Sequence, residues 1–165
     1  MTRYAIGLGS NQGDRLQHML EGVRLLRNTV EVVDVSYLYE TEALGGPEQD
    51  SYLNAVAVIE SELEPFDLLA ALHDIESARD RLRTVRWGPR TLDLDIVSSD
   101  GEHMETDELT IPHARSAARR FVLQPLVDVW ATAPVAGGVT AAEALEWVAD
   151  QQVELVARNW AGELG

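Results

Sequence analysis

Arg86-Trp87-Gly88-Pro89-Arg90-Thr91-Leu92-Asp93-Leu94-Asp95-Ile96 begins with arginines around a Gly-Pro turn and ends in an alternation of apolar and acidic residues. Leu92, Leu94 and Ile96 alternate with Asp93 and Asp95, the period-2 pattern of a β-strand. Residues i and i+2 of a strand leave the same face roughly 6.5–7 Å apart. Both carboxylates therefore share one face while the apolar residues fill the other. Neighbouring like charges repel, and a fold gains nothing from them unless a cation lies between. An all-oxygen pair suits Mg²⁺, which takes one or two carboxylates and completes its shell with water and substrate phosphates.

Working outward, Arg79, Arg81, Arg83, Arg86 and Arg90 fall within twelve residues, with Asp80 alone opposing them. Guanidinium forks match phosphate oxygens two at a time. Paired acids beside such a cluster imply a site for Mg²⁺-dependent transfer of a polyphosphate group. The plainer alternative is a solvated strand face next to a solvated helix end.

The wider composition sharpens this. Among 165 residues the formal net charge is −15, which argues against nucleic acid or an anionic membrane as partner. All 13 basic residues are arginine, so no P-loop lysine is available and any phosphate clamp is guanidinium. Cysteine is absent, which excludes disulfides, thiolate metal sites and a cysteine nucleophile. No signal-peptide pattern and no long apolar run is present, and the expectation is a cytoplasmic protein forming one domain over residues 1–165.

Upstream, Arg3 to Gly9 reads as a buried strand running into a glycine-rich turn at Gly7–Asp14. Asp14 is placed to cap a helix over about 14–28, with Leu16, Met19, Leu20, Val23 and Leu26 on its inner stripe. Val30 to Tyr39 reads as one strand, 40–47 as a polar loop, and Tyr52 to Ile59 as the next strand, interrupted by Asn54. Pro65 opens a helix to about Arg79, its apolar face formed by Leu68, Leu69, Leu72 and Ile75. After the acidic strand, Asp100-Gly101 is a hairpin-turn candidate and Leu109 to Pro112 a short extended piece. Arg119 and Phe121 lie two apart, so an arginine and an aromatic ring can approach one site. Short helices are expected over Gln124–Ala131 and Ala141–Ala149, and Trp147 and Trp160 are assigned to packing. The order strand–helix–strand, strand–helix–strand is that of an α+β, ferredoxin-like βαββαβ sandwich: a mostly antiparallel sheet with helices packed on it and extra C-terminal helices.

Five stretches in order (RYAIGLGSNQGD, YLYET, DSYLNAVAVIE, RWGPRTLDLDI and LTIPHARSAARRFVLQPL) resemble 6-hydroxymethyl-7,8-dihydropterin pyrophosphokinase of folate biosynthesis, over about residues 3 to 135. The resemblance implies transfer of the terminal diphosphate of ATP to the pterin hydroxymethyl group, with two Mg²⁺ ions and a ferredoxin-like fold. It implies that Asp93 and Asp95 hold the metals and that Arg81 and Arg90 grip the phosphates. Arg83 and Trp87 would belong to a closing loop, and His113 would contact the nucleotide. Tyr52 and Phe121 would sandwich the pterin, Asn54, Thr41 and backbone near Leu44 would bond its edge, and Arg119 would lie near the transferred group. The chain departs from the family pattern at Glu42, Asp80 and Ala114. The partners implied are two small-molecule substrates; a monomer is expected on separate grounds, since no apolar stripe is left unassigned. Two alternatives stay open at this point: a nucleotidyltransferase using the same acids, and a degenerate module that binds ATP or pterin without turnover.

Overall fold

The computed structural model describes residues 1–42, 51–80 and 91–162, the side chain of residue 80 excepted. Strand β1 (Thr2–Ser10) leads to helix α1 (Arg15–Thr29), β2 (Glu31–Val35), β3 (Leu38–Thr41), β4 (Tyr52–Ser61), α2 (Pro65–Asp80) and β5 (Asp93–Ser99). The main sheet is antiparallel throughout. Its spatial order runs β3–β4–β1–β5, with β2 also on β4. That is the ferredoxin-like βαββαβ arrangement the pattern predicts.

Alternation along β1 and β4 explains the layers. Tyr4, Ile6 and Leu8, with Leu53, Ala55, Ala57 and Ile59, face α1 and α2 and form the larger core with Met19, Leu26, Leu68 and Leu72. The opposite face carries Ala5, Val56 and Val97, covered by α3 (Arg120–Trp130), the hairpin β8 (Pro134–Val135) and β9 (Val139–Thr140), and α4 (Ala141–Glu146). This second cover occupies only part of the face. The remainder, around Gly7, Gly9 and the two aspartates, is left for the site.

Several expectations are corrected. Leu16 is exposed, and the buried face of α1 is made by His18, Met19, Gly22, Val23 and Leu26. The segment Val30–Tyr39 is two strands, because side chains take over the ladder. Asp34 accepts the Val35 N–H, and the Ser36 hydroxyl accepts the Val56 N–H at 2.9 Å, shifting the register between β2 and β3. Asp100-Gly101 does not join paired strands: β6 (Met104–Glu105) pairs instead with β7 (Thr110–Ile111). Trp160 is packed on the core and donates its indole N–H to the Ser36 carbonyl at 2.9 Å, but Trp147 is 65% exposed, because α4 ends just before it. The tail also contributes a strand, β10 (Glu154–Ala157), which adds an edge beside β3. None of the described helices is long and apolar enough to cross a membrane.

Candidate active site

Asp93 and Asp95 leave β5 on the side opposite the larger core, as the period-2 reading requires. Across the ladder they pair with Gly9 and Gly7 of β1. The two glycines are not turn residues, as the sequence reading has them. They lie inside β1 and form a floor without side chains. A Cβ on Gly9 would stand 3.6 Å from the Asn54 Oδ1, and one on Gly7 would stand 3.2 Å from Val97. Of the three glycines in this stretch it is Gly13, in the following turn, that needs its conformational freedom, with φ at +62°.

Two cavities meet at the aspartates. The larger, of about 560 Å³, is lined by Thr41, Tyr52, Asn54, Arg119 and Phe121 among others. The smaller, of about 340 Å³, runs between α2, β5 and the β6–β7 hairpin. Asp93, Asp95 and His113 line both. The smaller cavity's described wall carries Glu76, Asp93, Asp95, Asp107 and Glu108, with His73 and His113, and no arginine. An anion enters such a space only when cations accompany it.

Local contacts explain how each side chain is held. Tyr52 and Asn54 alternate on β4 and so share the sheet face with the aspartates. The Asn54 amide donates to the Thr41 hydroxyl at 2.9 Å, which satisfies the buried side chain and leaves its carbonyl oxygen above Gly9. Burial, and then the charge of Asp93, push the Tyr52 phenol above its usual range. His113 follows β7, and its backbone N–H bonds to the Val97 carbonyl of β5 at 2.9 Å. Its Nδ1 accepts the Arg115 N–H, so Nε2 carries the ring proton. Glu76 of α2 is buried and accepts the Leu94 N–H at 2.9 Å, tying the helix to the strand between the two aspartates. The Arg119 guanidinium lies 5.5 Å from the centre of the Phe121 ring, so the arginine–aromatic approach expected from their spacing is present.

Arg15 of α1 joins the ends of two strands that carry site residues. It bonds Glu40, next to Thr41, at 2.7 Å, and both the carbonyl and the hydroxyl of Ser51, next to Tyr52. The Arg15 bond, then that of the Ser51 hydroxyl, hold the Glu40 carboxyl below its usual range. A carboxylate with a depressed folded pKa stabilises the fold above its unfolded value of 4.5 and loses that contribution as pH falls through the lower folded value. Arg15→Met is therefore expected to lower Tm at pH 7, and the difference from wild type should shrink at pH 3. A difference undiminished at pH 3 would assign the effect to packing instead of the charge pair.

Residues 5–131 match the family described as 7,8-dihydro-6-hydroxymethylpterin-pyrophosphokinase (HPPK). The chain belongs to that family. It is 44% identical over 126 residues to a Bacillus subtilis 2-amino-4-hydroxy-6-hydroxymethyldihydropteridine pyrophosphokinase, covering 75% of each chain. It is 39% identical over 158 residues to the protein of the same name from Methylorubrum extorquens, covering 94% of this chain and 99% of the relative. The fold is shared with wild-type Plasmodium falciparum HPPK-DHPS at a TM-score of 0.69 and 12% identity, over 90% of this chain. The chain spans 43% of that longer protein.

For this family member, the structure brings together Thr41, Tyr52, Asn54, Asp93, Asp95, His113, Arg119 and Phe121 around the larger cavity. Leu44, Arg81, Arg83, Trp87 and Arg90 lie outside the described residues. Of the three departures, Glu42 lines the larger cavity, Ala114 lines the smaller, and Asp80 is the last residue of α2. Sequence reasoning missed Glu76 and the wall formed by Gln151, Gln152 and Val153. The α2 period that marks the apolar face also carries Glu76 inward, one residue after Ile75, and that was a readable signal. The Gln-Gln-Val stretch carries none, since its place depends on β10 returning to β3.

Proposed function

We propose that this chain transfers the β,γ-diphosphate of ATP to the hydroxymethyl group of 6-hydroxymethyl-7,8-dihydropterin, giving AMP and the pterin diphosphate, in folate biosynthesis. The observation that carries the reading is the junction of two cavities at Asp93 and Asp95. A transfer between two unlike substrates needs two compartments that meet where the new bond forms.

In this reading the pterin occupies the larger cavity. Tyr52 and Phe121 stack on its rings, while Asn54, Thr41 and backbone near Leu44 bond its amide-like edge. The nucleotide enters from the smaller cavity and meets His113, with Arg81 and Arg90 on its phosphates and Arg83 and Trp87 closing over it. Among the described residues no group of three or more His, Asp or Glu side chains is arranged for a metal ion. Two carboxylates on one strand face nevertheless fit Mg²⁺ that shares its shell with water and phosphate. Asp93 and Asp95 would hold two such ions, which when bound neutralise charge on the polyphosphate.

No protein nucleophile is needed. The pterin hydroxyl oxygen bonds to the β-phosphorus as the bond from that phosphorus to the α,β-bridging oxygen breaks. AMP leaves with the bridging oxygen and its electron pair, and the hydroxyl proton passes to water. The chain's contribution is to align the reactants and offset charge. The lack of cysteine suits a reducing cytoplasm.

The test is nucleotide release measured with ATP, Mg²⁺ and 6-hydroxymethyl-7,8-dihydropterin. AMP is expected only with all three present, and EDTA should stop its release. AMP at the same rate without the pterin, or in excess EDTA, would overturn the reading.

A further inference from the structure

Helix α3 starts without a local cap. Its N-cap residue, Arg119, makes no side-chain capping bond, and its guanidinium lies over the Phe121 ring. A cap is supplied from a remote part of the chain. The Gln151 Oε1 accepts the Arg120 N–H at 2.9 Å, and the Gln151 Nε2 donates to the Ala118 carbonyl at 3.0 Å. One amide thus holds the backbone on both sides of Arg119. The Arg120 guanidinium in turn donates to the carbonyls of Gln151, at 2.7 Å, and Ala149, at 3.1 Å. These contacts seat the segment before β10 against the start of α3. It lies beyond residue 131, where the family match ends, yet Gln151, Gln152 and Val153 line the same cavity as Arg119 and Phe121.

We propose that Gln151 is a positioning residue for Arg119, fixing through the flanking peptide groups the point from which the guanidinium reaches the transferred group. The inference rests on the proposed role of Arg119 at that group. A two-point bond sets both the place and the tilt of the Arg119 backbone. Displacing a reacting-site group by even about 1 Å can cost on the order of 10²-fold in rate.

The experiment is a double-mutant cycle on the full chain, with Arg119→Ala as the second change. Gln151→Ala removes the amide. Gln151→Met keeps the side-chain length without either hydrogen-bonding group. Both retain the Gln151 carbonyl that Arg120 grips, and the Gln151 side chain is exposed, so the fold and its thermal midpoint should be kept. Each variant should lower kcat about tenfold, a displacement smaller than 1 Å, with the KM for ATP unchanged. In the Arg119→Ala background neither should lower it further. Equal losses in both backgrounds, or no loss in either, would overturn the positioning role while leaving Arg119 in place. If Arg119→Ala alone leaves turnover unchanged, the reading of Arg119 fails and the positioning role fails with it.

Discussion

Asp93→Ala and Asp95→Ala should each lower kcat by on the order of 10³-fold at saturating substrates, at the upper end of what one preorganised charge-stabilising group contributes. The two residues share a strand face, lie opposite glycines and line both cavities. The smaller cavity's described wall also carries Glu76, Asp107 and Glu108, so losing the metal ligands leaves an ATP polyphosphate near these acids with less cation to screen it. Asp95 is exposed, and its removal also relieves repulsion from Asp93, so Asp95→Ala should fold with an unchanged or higher Tm in the absence of Mg²⁺. The Tm rise that Mg²⁺-ATP gives the wild type should be lost in the variant. Steady-state kinetics and thermal unfolding with and without Mg²⁺ check both statements. Near-normal turnover in both variants would remove the metal assignment.

Phe121→Ala should raise the KM for the pterin on the order of 10- to 100-fold and leave the KM for ATP unchanged. Stacking a flat heterocycle on an aromatic side chain contributes about 1–3 kcal/mol, which spans that range. Phe121 also carries the Arg119 guanidinium on its ring, so kcat should fall as well. The split between substrates is the informative part, because Phe121 lines only the larger cavity. Equal rises in both KM values would mean that the ring supports the site as a whole. An unchanged pterin KM would remove it from the pterin pocket.

These two effects were readable in the sequence for different reasons. The aspartates follow from local chemistry, since alternation on a strand fixes which residues share a face. The apolar runs of β1 and β4 likewise mark them as buried strands, but which side each residue faces is set by the helices packed on the two faces. Phe121, Asn54 and Thr41 come together only through the resemblance and the fold, because no local period links residues so far apart. The break between β2 and β3 escaped because the Ser36 hydroxyl, and not a glycine or proline, interrupts the ladder. Gly7 and Gly9 read as part of a glycine-rich turn, yet their small size serves the cavity floor within a strand. Leu16 fits a helical period but falls at the first turn of α1, outside the packed stripe. Gln151 is the hardest case: its function depends on a tail strand whose partner, β3, lies more than a hundred residues earlier.

The measurement that bears most directly on the account follows one oxygen atom. ATP labelled with ¹⁸O in the bridge between the α- and β-phosphorus is turned over with Mg²⁺ and 6-hydroxymethyl-7,8-dihydropterin, and the products are weighed by mass spectrometry. Attack at the β-phosphorus leaves the label in AMP and a diphosphate on the pterin, and that is the predicted result. Label in free diphosphate, with an adenylated pterin, would mean attack at the α-phosphorus and would contradict the account.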